Sequence, residues 1–340
     1  MSTDPHSFDQ AKLANYLEQQ IEGFKGPLTA EKFPNGQSNP TFAITAASGR
    51  YVLRRKPPGE LLKSAHAVDR EFRVIQALAN SDVPVAKVYH LCEDDSIIGS
   101  MFYLMEYVEA SVYWDATLPA MNNQQRNKIY DDMNRVLAAM HSVDVDQVGL
   151  SDYGKPGNYF DRQLDRWSRQ YRASETETIE AMEQLMTWLE VNKPKDDGRV
   201  SLVHGDFRLD NMMFDPATQQ VKALVDWELS TLGHPFADLA YQCMQLRLPA
   251  NGKLAGLAGI DRAALGIPSE EEYVALYCQR MGIEKIDNWN FYLAFSFFRF
   301  AAILQGVKKR ALDGNASSKK ALEMGATVKP LAEAATELIT

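Results

Sequence analysis

Cysteine is scarce in this 340-residue chain: Cys92, Cys243 and Cys278 stand far apart, an odd number with no paired spacing. Such a set makes a poor disulfide framework and no zinc motif, and it points to a reducing, cytoplasmic compartment. Positive charge is also short, with 36 Lys and Arg against 45 Asp and Glu and a net charge of -9. A general phosphate-backbone binder carries basic stripes, so no nucleic-acid partner is expected. Acidity does not exclude nucleotides, because a local cation cluster and backbone N–H groups can hold phosphates inside an acidic protein. The N-terminus, MSTDPHSFDQ, has no apolar core of a secretory signal. The most apolar stretch, Trp289 to Val307, is broken by Asn290 and Arg299. It reads as a buried helix, and no membrane association is expected. No GxxxxGK[ST] occurs, which argues against a P-loop site, and there is no internal repeat or low-complexity tract.

What is present is ordinary for a soluble globular protein: 45% hydrophobic, 24% charged and 10% aromatic residues. Length alone suggests about two domains. Residues 8 to 24 have helical spacing. TFAIT and YVLRR, separated by AASG, read as a β-hairpin, and residues 66 to 79 read as a helix with Val68, Phe72, Ile75 and Leu78 on one stripe. VPVAKVYHLCED and SMFYLMEYV then complete a small sheet. Beyond Glu109 the spacing turns helical, over 122–141, 158–172, 176–191, 270–282 and 289–311, with an Ala-rich helical close over 314–340. An island of β-type segments, RVSLVHGD, NMMF and VKALVDW, interrupts this half. The expected fold class is α+β: an antiparallel-sheet lobe with one key helix over 1–105, a larger, mostly helical lobe over 106–340, and a short hairpin at the seam.

Chemistry concentrates in His204-Gly205-Asp206-Phe207-Arg208-Leu209-Asp210-Asn211 and Val225-Asp226-Trp227-Glu228. An Asp and an Asn five residues apart can converge when the loop between them curls, and an Asp on the next hairpin strand can return to that point. Phosphoryl transfer needs such a set: a carboxylate for the accepting hydroxyl, and oxygen ligands to hold Mg2+ against phosphates.

HGDxxxxN followed by DWE resembles the aminoglycoside phosphotransferase and choline kinase group, which has the two-lobed protein-kinase-like fold. The resemblance implies an enzyme that transfers phosphoryl from ATP to an alcohol, with Asp206 as catalytic base and Asn211 and Asp226 as metal ligands. Arg54, in Tyr51-Val52-Leu53-Arg54, stands where this fold places its phosphate-binding lysine. Glu71, seventeen residues on, stands where it places the partnering glutamate. The residues agree, since Glu71 shares a helix face with Ile75 and Leu78 and a carboxylate carried inward needs a cation. Arg55 and Lys56 adjoin Arg54, so which cation works is open.

Further positions follow. Gly36 and Ser38 lie where the phosphate-covering loop should be, although a plain turn serves as well. Backbone groups of Glu106 and Val108 would meet the adenine edge. Arg208 either faces the transferred phosphoryl group or pairs with Asp210 or Glu228. His204 and His141 read as structural. Asp238 would accept hydrogen bonds from the catalytic-loop backbone, and Glu228 would either touch a second metal or bond to the loop.

Longer stretches from about residue 36 to 312, among them VDREFRVIQAL, HGDFRLDNMMF and VDWELSTLGHPFADLAY, resemble the kinase-like domains found beside or fused to acyl-CoA dehydrogenases. That resemblance implies a small hydroxylated substrate, a hydroxyacyl compound such as a hydroxyacyl-CoA. The alternatives are a catalytically silent binding module, or a kinase of aminoglycoside, choline, homoserine or sugar. ATP versus GTP and the oligomeric state are not readable from one sequence.

Overall fold

Gln10 to Gln20 form the first element of the computed structural model, which describes residues 7–34, 39–57, 67–250, 256–314 and 321–339. In chain order the elements are α1 (Gln10–Gln20), β1 (Leu28–Lys32), β2 (Thr41–Ala46), β3 (Gly49–Arg55), α2 (Val68–Leu78), β4 (Val88–Cys92) and β5 (Phe102–Glu106). There follow α3 (Asn123–His141), α4 (Tyr159–Ser174), α5 (Glu180–Val191), β6 (Ser201–Val203), β7 (Met212–Phe214), β8 (Val221–Leu224) and β9 (Thr231–Gly233). The chain closes with α6 (Phe236–Leu246), α7 (Arg262–Leu265), α8 (Glu270–Met281), α9 (Trp289–Leu312), α10 (Ala321–Gly325) and α11 (Val328–Thr336). This is the α+β, kinase-like arrangement expected.

Two compact units result: Met1–Ser111 with Met212–Ser230, and Val112–Asn211 with Thr231–Thr340. The single division at 105/106 drawn from the sequence therefore differs from the grouping found. The reason is hydrogen bonding. Ser111 and Phe214 exchange backbone bonds of 2.8 Å in both directions, Leu224 N–H donates to Pro84 O at 2.8 Å, and Lys222 Nζ donates to Glu109 O at 3.1 Å. These bonds tie the β7–β8 hairpin to the first unit, although 100 residues of sequence intervene.

In the first unit the sheet runs β1-β2-β3-β5-β4, every neighbour antiparallel. Alternation gives its two faces different duties. Tyr51, Leu53, Phe102 and Leu104 join Phe42, Ile44, Leu13 and Leu17 in a core beneath α1. The other face carries Arg54 directly opposite Tyr103 in register, toward α2. Asp9 caps α1 by accepting from Lys12 N–H at 2.9 Å.

The second unit is built on helices. Capping boxes start α3 (Asn122 with Gln125) and α8 (Ser269 with Glu272). The apolar stretch read as a buried helix is α9, and 83% of its most apolar window is buried. It packs against α4, α6, α10 and α11. Ser201–Val203 pair with Thr231–Gly233, a strand too short to read from the sequence, while Met212–Phe214 pair with Val221–Leu224 as expected.

Candidate active site

Burial dominates the first unit's charged cluster. Glu71 is 1% exposed and accepts from Asn39 Nδ2 at 2.7 Å and from Tyr103 Oη at 3.2 Å, while Arg54 Nε lies 2.7 Å from its Oε2. Arg54 also reaches Asp226 Oδ1 through Nη2 at 2.8 Å, with Glu228 Oε2 at 4.0 Å. Burial works against the Arg54 charge, but Glu71, Tyr103, Asp226 and Glu228 outweigh it and raise its affinity for the proton above the ordinary value. The Glu71 carboxyl is pushed up by burial, against the pull of Arg54.

The choice among adjacent cations is thereby decided for the Glu71 pair. Arg55 points to the opposite face, where Nε donates to Ser100 Oγ at 2.9 Å and the guanidinium lies 5.8 Å from the Phe8 ring. Lys56 Nζ stands 3.7 Å from Asp69. Arg54 differs from the expectation in one respect. Its fork is held by two carboxylates, a span that a guanidinium can bridge and a single ammonium covers less well.

Asp226 adopts φ 68° and ψ 59°, the left-handed region, which non-glycine residues enter at a cost of about 1–3 kcal/mol and mostly at functional sites. Gly36 and Ser38 lie outside the described residues. Glu106 ends β5 with its N–H given to Lys87 O at 2.8 Å, so an adenine contact at this residue falls to its carbonyl. Val108 follows two residues later, partly exposed.

In the second unit the catalytic-type loop is held from three sides. Asp238, fully buried, accepts from His204 N–H at 2.6 Å and Gly205 N–H at 2.8 Å, as the sequence suggested. Burial would raise the Asp238 carboxyl, but the nearby His141 and His204 and the Gly205 N–H prevail and hold it below the usual range. His141 keeps Asp238 company at 3.5 Å through Nε2, while its Nδ1 bonds Tyr277 Oη at 2.7 Å. From α9, Arg299 Nη2 donates to Gly205 O at 2.7 Å. Gly205 itself sits at φ 84°, a conformation that favours glycine at this turn.

That frame presents Asp206. Its Oδ1 accepts from Tyr241 Oη at 2.8 Å, and Asn211 Nδ2 donates at 2.9 Å both to its Oδ2 and to its backbone carbonyl. The five-residue spacing thus curls as expected, through a 3-10 turn at Leu209–Asn211. With Nδ2 committed, the amide oxygen of Asn211 is the atom left for a cation. His204 is fully buried and accepts from Asp206 N–H at 3.3 Å, a structural part.

Arg208 takes the paired alternative. It forks onto both oxygens of Asp210; burial works against its charge, but the Asp210 hydrogen bond and the charges of Asp210 and Asp206 outweigh it and leave it firmly protonated. The pair lines a cavity of about 350 Å³ in the second unit with Trp114, Gln242, Gln245 and Phe300. Tyr241 and Arg299 are the functional residues that the sequence reading missed. Each lies in a segment noted for other reasons, HPFADLAY and the long apolar helix, and nothing local marks them.

The sequence matches the phosphotransferase enzyme family over residues 29–273. A crystal structure of a putative aminoglycoside phosphotransferase from Ralstonia eutropha is 53% identical, superposes with a TM-score of 0.90, and the match covers 98% of both chains. Mouse acyl-CoA dehydrogenase family member 10 is 51% identical over 95% of this chain, which spans 31% of that relative's length. The aminoglycoside phosphotransferase APH(4)-Ia, solved with ADP and hygromycin B, shares the fold at a TM-score of 0.62 and 13% identity, over 96% of this chain and 98% of that one. Sequence, fold and the arrangement around Asp206 agree: the chain belongs to the phosphotransferase enzyme family.

Proposed function

We propose that this chain moves the γ-phosphoryl group of ATP to the hydroxyl of a small molecule, with a hydroxyacyl compound such as a hydroxyacyl-CoA as the favoured acceptor. The observation that carries the reading is the hydrogen-bonded Asp206: both of its oxygens are fixed by neighbours, Tyr241 and Asn211, within one buried frame. A carboxylate so held is suited to orient an acceptor hydroxyl and take its proton as the phosphoryl group leaves ATP. The ADP complex of a fold relative supports the donor, and the kinship with acyl-CoA dehydrogenase family members supports an acyl-bearing acceptor.

Magnesium is the cation proposed for this reaction. Asn211 and Asp226 offer hard oxygen ligands, and Arg54 takes only Oδ1 of Asp226. Among the described residues no group of three or more His, Cys, Asp or Glu could hold a metal. Mg2+ commonly keeps several waters and binds through one or two protein oxygens plus substrate phosphates. When bound, Mg2+ supplies charge neutralisation on the phosphates. The chain's own residues do the rest. Asn211 and Asp226 present oxygens, Glu71 holds Arg54 in place, and Glu106 and Val108 offer backbone groups to adenine. Arg208, in this reading, stands beside the transferred group with its guanidinium held by Asp210. A cytoplasmic location is part of the proposal, and the three free cysteines, Cys92, Cys243 and Cys278, support it.

A second reading, a silent nucleotide-binding module, draws on the Arg54–Asp226 contact, which engages a proposed metal ligand. One experiment separates the two. Purified chain with Mg2+-ATP is offered hydroxyacyl-CoAs, free hydroxy acids, choline and aminoglycosides, with Asp206→Ala alongside. Transfer to one class, falling by about 10²-fold or more in the variant, is expected. Nucleotide binding without transfer to any acceptor favours the silent module, and absence of both ends the phosphotransferase reading.

A further inference from the structure

The cavity beside the catalytic loop has a composition that discriminates among acceptors. Among the described residues its charged members are Arg208 and Asp210, which neutralise each other through the two-pronged contact. Trp114, 66% exposed, and Phe300 supply aromatic surface. The Tyr130 hydroxyl on the wall is already given to Ala116 O at 2.6 Å, and two amides of α6, three residues apart and so on one helix face, add further polar groups. Gln242 is 2% exposed and its Oε1 is buried with no hydrogen-bond partner; Gln245 Nε2 is buried in the same condition. Unsatisfied buried amides are uncommon and call for an explanation. Their place is telling, since Tyr241, the residue before Gln242, holds Asp206.

We infer that Gln242 and Gln245 are specificity-determining residues that read an uncharged hydrogen-bonding group of the acceptor, an amide or a second hydroxyl, while its apolar part lies on Trp114 and Phe300. One carboxamide offers an acceptor and the other a donor, which complements the N–H and C=O of an amide. A polycation gains nothing here, because Asp210 is already spent on Arg208 and the wall holds no free carboxylate among the described residues. This rests on the phosphotransferase reading and narrows it to neutral amide- or hydroxyl-bearing alcohols over amino sugars.

Calorimetric titration tests it, with 3-hydroxy-N-butylbutanamide as the neutral probe, kanamycin as the polycationic one, and Mg2+-ATP in a parallel titration. Binding of the hydroxyamide, roughly tenfold weaker in Gln242→Met and in Gln245→Met, with kanamycin binding more weakly than the hydroxyamide, is the expected result. The near-isosteric Met variants, checked for unchanged melting temperature, separate lost recognition from lost folding, and Gln245→Ser serves where a Met variant melts early. ATP binding with no hydroxyamide binding overturns the inference and leaves the phosphotransferase standing. So does hydroxyamide binding that is indifferent to both substitutions, or tighter binding of kanamycin. Loss of ATP binding as well removes the broader reading.

Discussion

Tyr241 shows how much of the proposed chemistry hangs on one hydroxyl. Asp206 has two oxygens, and Asn211 fixes only one; the Tyr241 bond at 2.8 Å stops the carboxylate from turning about that anchor. Replacing Tyr241 with Phe keeps the ring, which packs edge-on to Phe300 and lies 5.5 Å from the Arg299 guanidinium, and removes only the donor. One hydrogen bond to a charged group contributes about 1.5–3 kcal/mol, so kcat should fall roughly tenfold or more. Tyr241 is a positioning residue, so KM for ATP and the melting temperature should stay at the parent values. A fall in kcat matched by a rise in that KM would assign Tyr241 to general structure instead. Asp206 and Asn211 were legible because their bond closes within a six-residue segment. Tyr241 reaches Asp206 across 35 residues and Arg299 reaches Gly205 across 94, distances over which one sequence gives no pairing signal.

At the level of elements, α2 shows why the small sheet's charge cluster could be read in advance. Val68, Glu71, Ile75 and Leu78 are all buried on one stripe, so the helix cannot bury its apolar residues without taking the carboxylate along. Strand alternation then puts Arg54 and Tyr103 on the face that meets it. What one sequence could not show is that Arg54 would also engage Asp226, 172 residues on. The same limit hid β9 and the four-residue α7, elements too short to carry a period. Glu71→Ala strands Arg54 with Asp226 and Glu228 as its remaining carboxylates. Breaking a buried pair costs about 3–5 kcal/mol, and these partners, with Arg54 still 15% exposed, put the expected loss near the lower bound. Urea unfolding measures it. A change below about 1 kcal/mol would mean that the pair contributes direction and little stability.

For the whole molecule, the acid limit of stability tests the second unit's frame. Asp238 binds two consecutive loop N–H groups from a fully buried position, beside His141. Its carboxyl is held below the ordinary value despite burial. A carboxylate with a depressed folded-state pKa stabilises the fold fully above the unfolded value, about 3.9, and that contribution is lost as pH falls through the folded-state value. Asp238→Asn keeps the size but offers one oxygen where two accept, so about 1–3 kcal/mol should be missing at pH 7. Below pH 4 the parent loses the same advantage by protonation, and the two unfolding free energies should converge. Other carboxylates titrate in both proteins and cancel in the difference. Curves that stay parallel down to the acid transition would show that Asp238 serves the loop by shape, with its charge uninvolved.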